Sequence, residues 1–312
     1  MASPLSDATS GALGSVLANT IVFPLDVIKT RMQVQTKEIT HAHYHSTTDA
    51  VLKIVKHEGI AGLYVGLGSG LVGTLVSSFS YFYIYSTIRG GYSKSIKFQP
   101  ISTAMELFLG AAAGALCQFI VLPIGIVTTR QQTNLERLSV MDTVRKIIKE
   151  EGVKELWKGL QASLVLCVNP AITYGVFERL RTIFTARLKD PKAALTSGQV
   201  FLIGALSKAL ATIVTYPYIM AKIRMQWKPS KKSLEGLTEK QRKALHYTGA
   251  VDILKKVYKS DGIKGLYTGM QTQILKAVLS QAIVFTLKEK ISFYTVIIFT
   301  LMKASSVKMK NS

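Results

Sequence analysis

The sequence predicts an all-α membrane protein: six spanning helices in three related repeats, with one short surface helix in each repeat. Three observations carry this expectation. The 312-residue chain is 48% hydrophobic, with a positive mean hydropathy. Its apolar residues gather around 8–28, 65–85, 104–127, 160–180, 196–221 and 270–302, and most of these segments approach the ~20 residues that a spanning helix needs. Two motifs then recur three times along the chain, the signature of an internally repeated fold.

Each apolar segment is interrupted by Gly, Ser, Thr, Asn or Lys. That texture suits helices with one face toward lipid and another toward a polar cavity; single anchors are more uniformly apolar. The 39 bases and 18 acids give a formal charge of +21. The bases sit at segment ends and in links such as "KPSKKSLEGLTEKQRKALH" (228–246), whereas a nucleic-acid surface would cluster them beside exposed aromatics. This distribution supplies topological signal and attraction to anionic lipid; a field drawing in an anionic solute is the second reading.

Other chemistries find little support. Cys117 and Cys167, the only cysteines, lie inside apolar segments and read as structural thiols, with no metal-ligand spacing. "HAHYH" (41–45) reads as polar loop before metal site. A P-loop, a nucleophile elbow and His-Glu-x-x-His are all missing from the sequence, so neither enzyme nor cofactor is expected. "MASPLSDATS" resembles neither a secretory signal nor a transit peptide, and "VKMKNS" is not Ser-Lys-Leu, so targeting is expected to be internal.

The first repeated motif is "PLDVIKTRMQ" (24–33), "PIGIVTTRQQ" (123–132) and "PYIMAKIRMQ" (217–226). Its prolines stand 99 and 94 residues apart, each followed by Arg at the seventh position and Gln at the ninth. The second is "EGIAGLYVG" (58–66), "EGVKELWKG" (151–159) and "DGIKGLYTG" (261–269). An amphipathic stretch such as "VMDTVRKIIKEEG" (140–152) precedes each. Each unit reads as membrane helix, surface helix, membrane helix, with expected repeat bounds 1–99, 100–192 and 193–312 and both termini on one side.

On these motifs the chain resembles the mitochondrial carrier family over essentially its whole length. The resemblance implies a monomeric, pseudo-threefold barrel of six tilted helices around a central cavity, and solute exchange by alternating access. It also implies an inner gate in which the acid two positions after each proline pairs with the base five positions after the next. Here those positions hold Asp26, Gly125 and Ile219, then Lys29, Thr128 and Lys222. Ring pairing leaves Asp26 facing Thr128 and no ion pair, a weak gate. Lys29 and Lys222 are then wet and assist an anion, or merely snorkel. Arg31 with Glu58, Arg130 with Glu151, and Arg224 with Asp261 resemble links between each odd helix and its own surface helix. On the cytosolic side, "YSTIR" (85–89), "FERLR" (177–181) and "KEKIS" (288–292) leave one ion pair, Arg89–Glu289, with Glu178–Ser292 and Ser86–Arg181 as hydrogen bonds. Both gates are expected to be shallow and exchange easy.

Solute contacts in the family lie about thirteen residues before the cytosolic gate acid, which here are Gly73, Val165 and Lys276. Lys276 and Lys208 are bases inside apolar runs, which points to a cavity. Thr212, Asn19 and Gln118 occupy equivalent cavity-side positions of the odd helices, and "CVNPAITYGVFERLR" (167–181) adds Asn169 and Tyr174. "NPAI", "PIGIVTTRQQT" and "LSKALATIVTYPYIMAKIRMQ" further resemble the peroxisomal adenine nucleotide carriers of yeasts. That resemblance implies exchange of cytosolic ATP for AMP across the peroxisomal membrane, with ADP a possible solute and the mitochondrial inner membrane the alternative site. Carriage of CoA, FAD or NAD, and a proton-leak or channel-like member, are the alternatives on the same scaffold.

Overall fold

A computed structural model describes residues 4–36, 43–97, 99–134, 136–186, 195–229, 234, 237–280 and 283. Among these, the regular elements are helices, and they follow the repeat. Repeat one holds α1 (Pro4–Val34), α2 (Thr47–Glu58) and α3 (Leu67–Ser95). Repeat two holds α4 (Thr103–Thr133), α5 (Val140–Glu151), α6 (Leu160–Leu166) and α7 (Asn169–Thr185). Repeat three holds α8 (Ser197–Gln226), the short α9 (Glu239–Ala244), α10 (Ala250–Leu266) and α11, helical over 270–280. Among the described residues, four stretches are long and apolar enough to cross a membrane: Ile60–Ser95, Thr103–Thr133, Val153–Thr185 and Gly198–Gln226. The expected sixth span enters the described residues at 270 and runs beyond them, as do Glu289 and Ser292.

One expected span is broken. Over the apolar segment 160–180, α6 ends at Leu166 and α7 begins at Asn169. Pro170 lacks the donor that would continue the ladder. The chain tightens instead, with Cys167 N donating to Leu164 and Val168 N to Val165, each three residues back.

The membrane face is apolar and open: Val72, Leu75, Phe79, Phe82, Leu116 and Phe119 are exposed. A patch of that extent is at home in lipid. The buried core is concentrated instead at one end, in three clusters, one per repeat. Ile28 and Met32 pack on Ile54 and Leu63; Leu122 and Ile126 on Ile147 and Leu156; Met220 and Met225 on Ile253 and Val257. Each cluster joins the part of an odd helix at and beyond its internal proline to its surface helix. Ser46 and Ser139 cap α2 and α5 by accepting from the backbone N–H of Asp49 and Asp142.

The second motif is a pair of glycine turns. Gly59, Gly152 and Gly262 leave each surface helix at φ of 72°, 90° and 65°; Gly66, Gly159 and Gly269 enter the next at 82°, 86° and 82°. All six lie where a side chain is strained. The entering glycines also meet the next repeat. A Cβ on Gly66 would touch Gln132, one on Gly159 would touch Gln226, and one on Gly269 would touch Gln33.

The arginines of the first motif close the same circle. Arg31 Nε donates to the Gln132 carbonyl at 2.8 Å, Arg130 Nε to Gln226 at 2.7 Å, and Arg224 Nε to Gln33 at 2.8 Å. Repeat one binds two, two binds three, and three binds one. Two of these arginines also hold their own surface helix, Arg31 through Glu58 and Arg130 through Glu151, the latter at 3.1 and 2.9 Å. Arg224 gives its second nitrogen to the Gln35 carbonyl at 2.9 Å. Asp261 precedes the turn at Gly262 and accepts from Ser260 at 3.1 Å.

Burial raises the Glu151 pKa, but Arg130 and Lys228 together outweigh it and hold the group below the ordinary glutamate value. A depressed carboxylate adds stability above its unfolded pKa of about 4.3 and loses it as pH falls through the folded value. Arg130→Ala leaves the nearly buried Glu151 carboxylate with Lys228 at 3.3 Å and removes the bond to the Gln226 carbonyl, which together cost on the order of 3 kcal/mol. Thermal unfolding of purified protein should show that loss for Arg130→Ala and a smaller one for Arg130→Lys. In Glu151→Gln, the acid-range decline should be flatter than in wild type.

Candidate functional site

Above the ring lies a cavity of about 510 Å³ whose lining includes Asp26, Lys29, Lys222 and Lys276 together with Asn19, Gly73, Gln118 and Thr128. A second, about 750 Å³, lies among α7, α8 and α11, lined by Lys208, Thr212, Gln273, Lys276, Phe177 and Phe201. Lys276 borders both. Volumes of this size suit a small-molecule ligand, and bases that face water-filled space avoid the cost of facing lipid.

The inner gate differs from the predicted ring. Thr128 does not meet Asp26: its hydroxyl donates to the Ile124 carbonyl of its own helix at 2.9 Å. Asp26 Oδ1 accepts instead from Lys29 Nζ at 2.8 Å and Lys276 Nζ at 2.6 Å. The gate therefore contains an ion pair, and Lys29 is paired instead of standing alone in water. The ring rule pairs odd helices with each other, whereas Lys276 reaches in from α11. Lys222 lines the cavity and makes no ion pair among the described residues. With Asp26 set against Lys29 and Lys276, the floor of the cavity carries two more bases than acids.

The opposite end is open at its described positions. Arg89 is held by Glu106 at 2.8 Å, and Glu106 also accepts from Tyr85 at 2.5 Å. Glu178 and Arg181 sit 3.6 Å apart, both largely exposed. Ser86 donates to the Tyr83 carbonyl at 3.0 Å, so the predicted Ser86–Arg181 contact is not made in this conformation.

Around Lys208 the geometry is specific. Lys208 Nζ donates to Asn169 Oδ1 at 2.9 Å, and Asn169 Nδ2 donates to Thr215 Oγ1 at 2.7 Å. The helix break at 167–168 is what presents Asn169 to α8. Thr212 is buried, with its hydroxyl on the Lys208 carbonyl at 2.7 Å.

Tyr174 and Val165 are exposed and line neither cavity. Thr173 and Phe177, four residues apart on α7, take the inward face; one residue along a helix turns Tyr174 away by about 100°. Aromatic surface comes from Phe177 and Phe201 instead. Sequence reasoning also passed over Gln273, one turn before Lys276. It lines the larger cavity, and its buried Oε1 has no hydrogen-bond partner among the described residues. Its spacing of three from Lys276 was the available signal.

Comparison with known proteins agrees with this architecture. The family model for mitochondrial carrier proteins matches residues 1–95, 99–188 and 193–296. "Mitochondrial substrate carrier family protein Q" of Dictyostelium discoideum is 34% identical, covering 96% of this chain and 91% of its own. "Peroxisomal adenine nucleotide carrier 1" of Glycine max is 33% identical, covering 96% and 94%. "Peroxisomal adenine nucleotide transporter 1" of Saccharomyces cerevisiae is 33% identical, covering 92% and 91%. Three matched repeats, six glycine turns and a closed ring of arginines lead to one conclusion: the chain belongs to the mitochondrial carrier protein family, with an all-α membrane fold.

Proposed function

We propose that this chain is an adenine nucleotide antiporter of the peroxisomal membrane, exchanging cytosolic ATP for AMP from the organelle interior, with ADP also accepted. The observation that carries the reading is the cavity of about 750 Å³ bordered by both Lys208 and Lys276. Lysines attract phosphate oxygens, and the Phe177 and Phe201 rings offer aromatic surface to a base. The names of the soybean and yeast relatives support the same solute and membrane.

In this reading Lys276 and Lys208 hold phosphate, and Asn169 positions Lys208. Thr212 buttresses the turn that carries Lys208, while Asn19, Gly73 and Gln118 line the path to the gate. Tyr174 and Val165 have no role in this conformation. Arg89, Glu178, Arg181 and Glu289 form the cytosolic gate in the opposite state. Repeats 1–99, 100–192 and 193–312 move as units in a monomer, surrounded by lipid. Transport makes and breaks no covalent bond, so no catalytic group is required.

Two measurements test this. Purified protein in liposomes loaded with AMP should take up labelled ATP, and empty liposomes should take up almost none. Uptake into empty vesicles would favour a channel, and preference for CoA or NAD would redirect the solute assignment. Lys208→Gln and Lys276→Gln should each lower exchange about 10- to 100-fold, the value of a charge-assisted hydrogen bond. Gly125→Asp places an acid beside the free Lys222; a Cβ there meets nothing nearer than Gln226 Nε2 at 4.0 Å. That added gate pair should slow exchange about fivefold, the scale of a partly exposed pair.

A further inference from the structure

Of the three positions that follow the prolines by two, only Asp26 carries a carboxylate, and Lys29 and Lys276 both take it. The second position is Gly125, and it borders the cavity of about 510 Å³ together with Lys222 and Gln226. A Cβ added to Gly125 meets nothing nearer than Gln226 Nε2 at 4.0 Å, so the volume of a small side chain is free there. Gln226 is 2% exposed, and its Nε2 is a buried donor with no partner among the described residues. Thr129 Oγ1 donates to Gln226 Oε1 at 3.1 Å and so fixes the amide with Nε2 on the Gly125 side. Lys222 stands one turn before Gln226 on α8, which puts the ammonium and the amide on one face of that helix. A buried donor and a buried base left unmatched side by side are both costly, and one ligand answers both.

We propose that Gly125, Lys222 and Gln226 form a binding site for a small monovalent anion, chloride, which stands where a carboxylate on residue 125 would stand. Gln226 Nε2 donates a hydrogen bond to it, Lys222 supplies the opposite charge, and the bare Cα of Gly125 leaves it room. The niche is the size of one short side chain, which suits a single ion and not a polyphosphate. Asp26 cannot serve in its place, being held by two lysines on the repeat-one side of the cavity. The ion ties the Gly125 position of repeat two to α8 of repeat three, a polar link that the side chains of these positions do not make by themselves. Chloride is in this sense a structural cofactor of the proline end, whichever solute the carrier exchanges.

The test follows thermal unfolding of purified full-length protein, without nucleotide, as chloride replaces gluconate at constant ionic strength. Gluconate is too large for the niche and controls for screening. Wild type should be stabilised along a saturating curve, as binding to the folded state requires. Lys222→Gln and Gln226→Ala should each raise the half-saturating chloride concentration about tenfold. Gly125→Asp should lose the response, because its own carboxylate then fills the site. A response in Gly125→Asp or Lys222→Gln equal to that of wild type overturns the proposal, since it places the ion elsewhere among the 39 bases. Equal effects of chloride and gluconate on wild type overturn it as well. Should a substitution prevent folding, wild type alone decides through the width of the chloride NMR resonance. Formate carries the group that residue 125 lacks, so it should displace the ion and narrow the line; a line that formate leaves unchanged overturns the site. Neither measurement involves nucleotide, so the outcome is independent of the solute assignment.

Discussion

The structure depends on three arginine–carbonyl hydrogen bonds that run head to tail around one end of the barrel. Two of the three clusters of buried apolar side chains lie inside single repeats, and the third draws Ala162 of repeat two in with the side chains of repeat three; the contact made in the same way at all three repeat boundaries is polar. Arg31, Arg130 and Arg224 make it, each reaching the carbonyl of the glutamine that ends the next odd helix. The glycine turn after each surface helix is pressed against that same glutamine. A guanidinium suits the task because its fixed fork can serve two acceptors at once. In Arg31 and Arg130 one branch holds the repeat's own carboxylate while Nε crosses to the neighbour. Opening this end must break the crossing bonds, and it can leave the internal ones intact.

The charges above the ring give the cavity its character. Lys29, Lys222 and Lys276 face one carboxylate, Asp26, in a space also lined by small and polar side chains. A membrane interior tolerates such an excess only where water or an anion can reach it. Asp26, Lys29 and Lys276 are thus paired with one another on the wall of that same cavity. At the other end the exposed Arg89 is paired with Glu106 of the next repeat.

Much of the fold was legible because repetition magnifies weak local signals. One proline in an apolar run says little; three, with Arg and Gln at fixed offsets, define a unit. The glutamine was visible as a repeated letter without a partner: the arginine meets its backbone carbonyl, which leaves little mark on sequence, and the side chains of Gln33 and Gln226 meet Tyr216 and Thr129, which do not repeat as a motif. The break between α6 and α7 was foreshadowed by Pro170, but whether a proline kinks or interrupts a helix depends on its neighbours. Lys208 and Lys276 stood out because charge is rare in apolar runs. Tyr174 failed on phase, as one position rotates a side chain out of the cavity and Phe177 into it. The Asp26–Lys276 pair was hidden because the family's ring rule compares odd helices only, and Lys276 comes from an even one.

The central proposal, that the proline end closed by the arginine ring opens during transport, is most directly tested by a distance. Spin labels at Gln35→Cys and Asn134→Cys, in a Cys117→Ser, Cys167→Ser background, flank the Arg31–Gln132 crossing. Pulsed electron resonance in liposomes should give one short distance without solute and a second, longer population with saturating AMP or ATP. A single unchanged distance while the labelled protein still exchanges nucleotide would contradict the account.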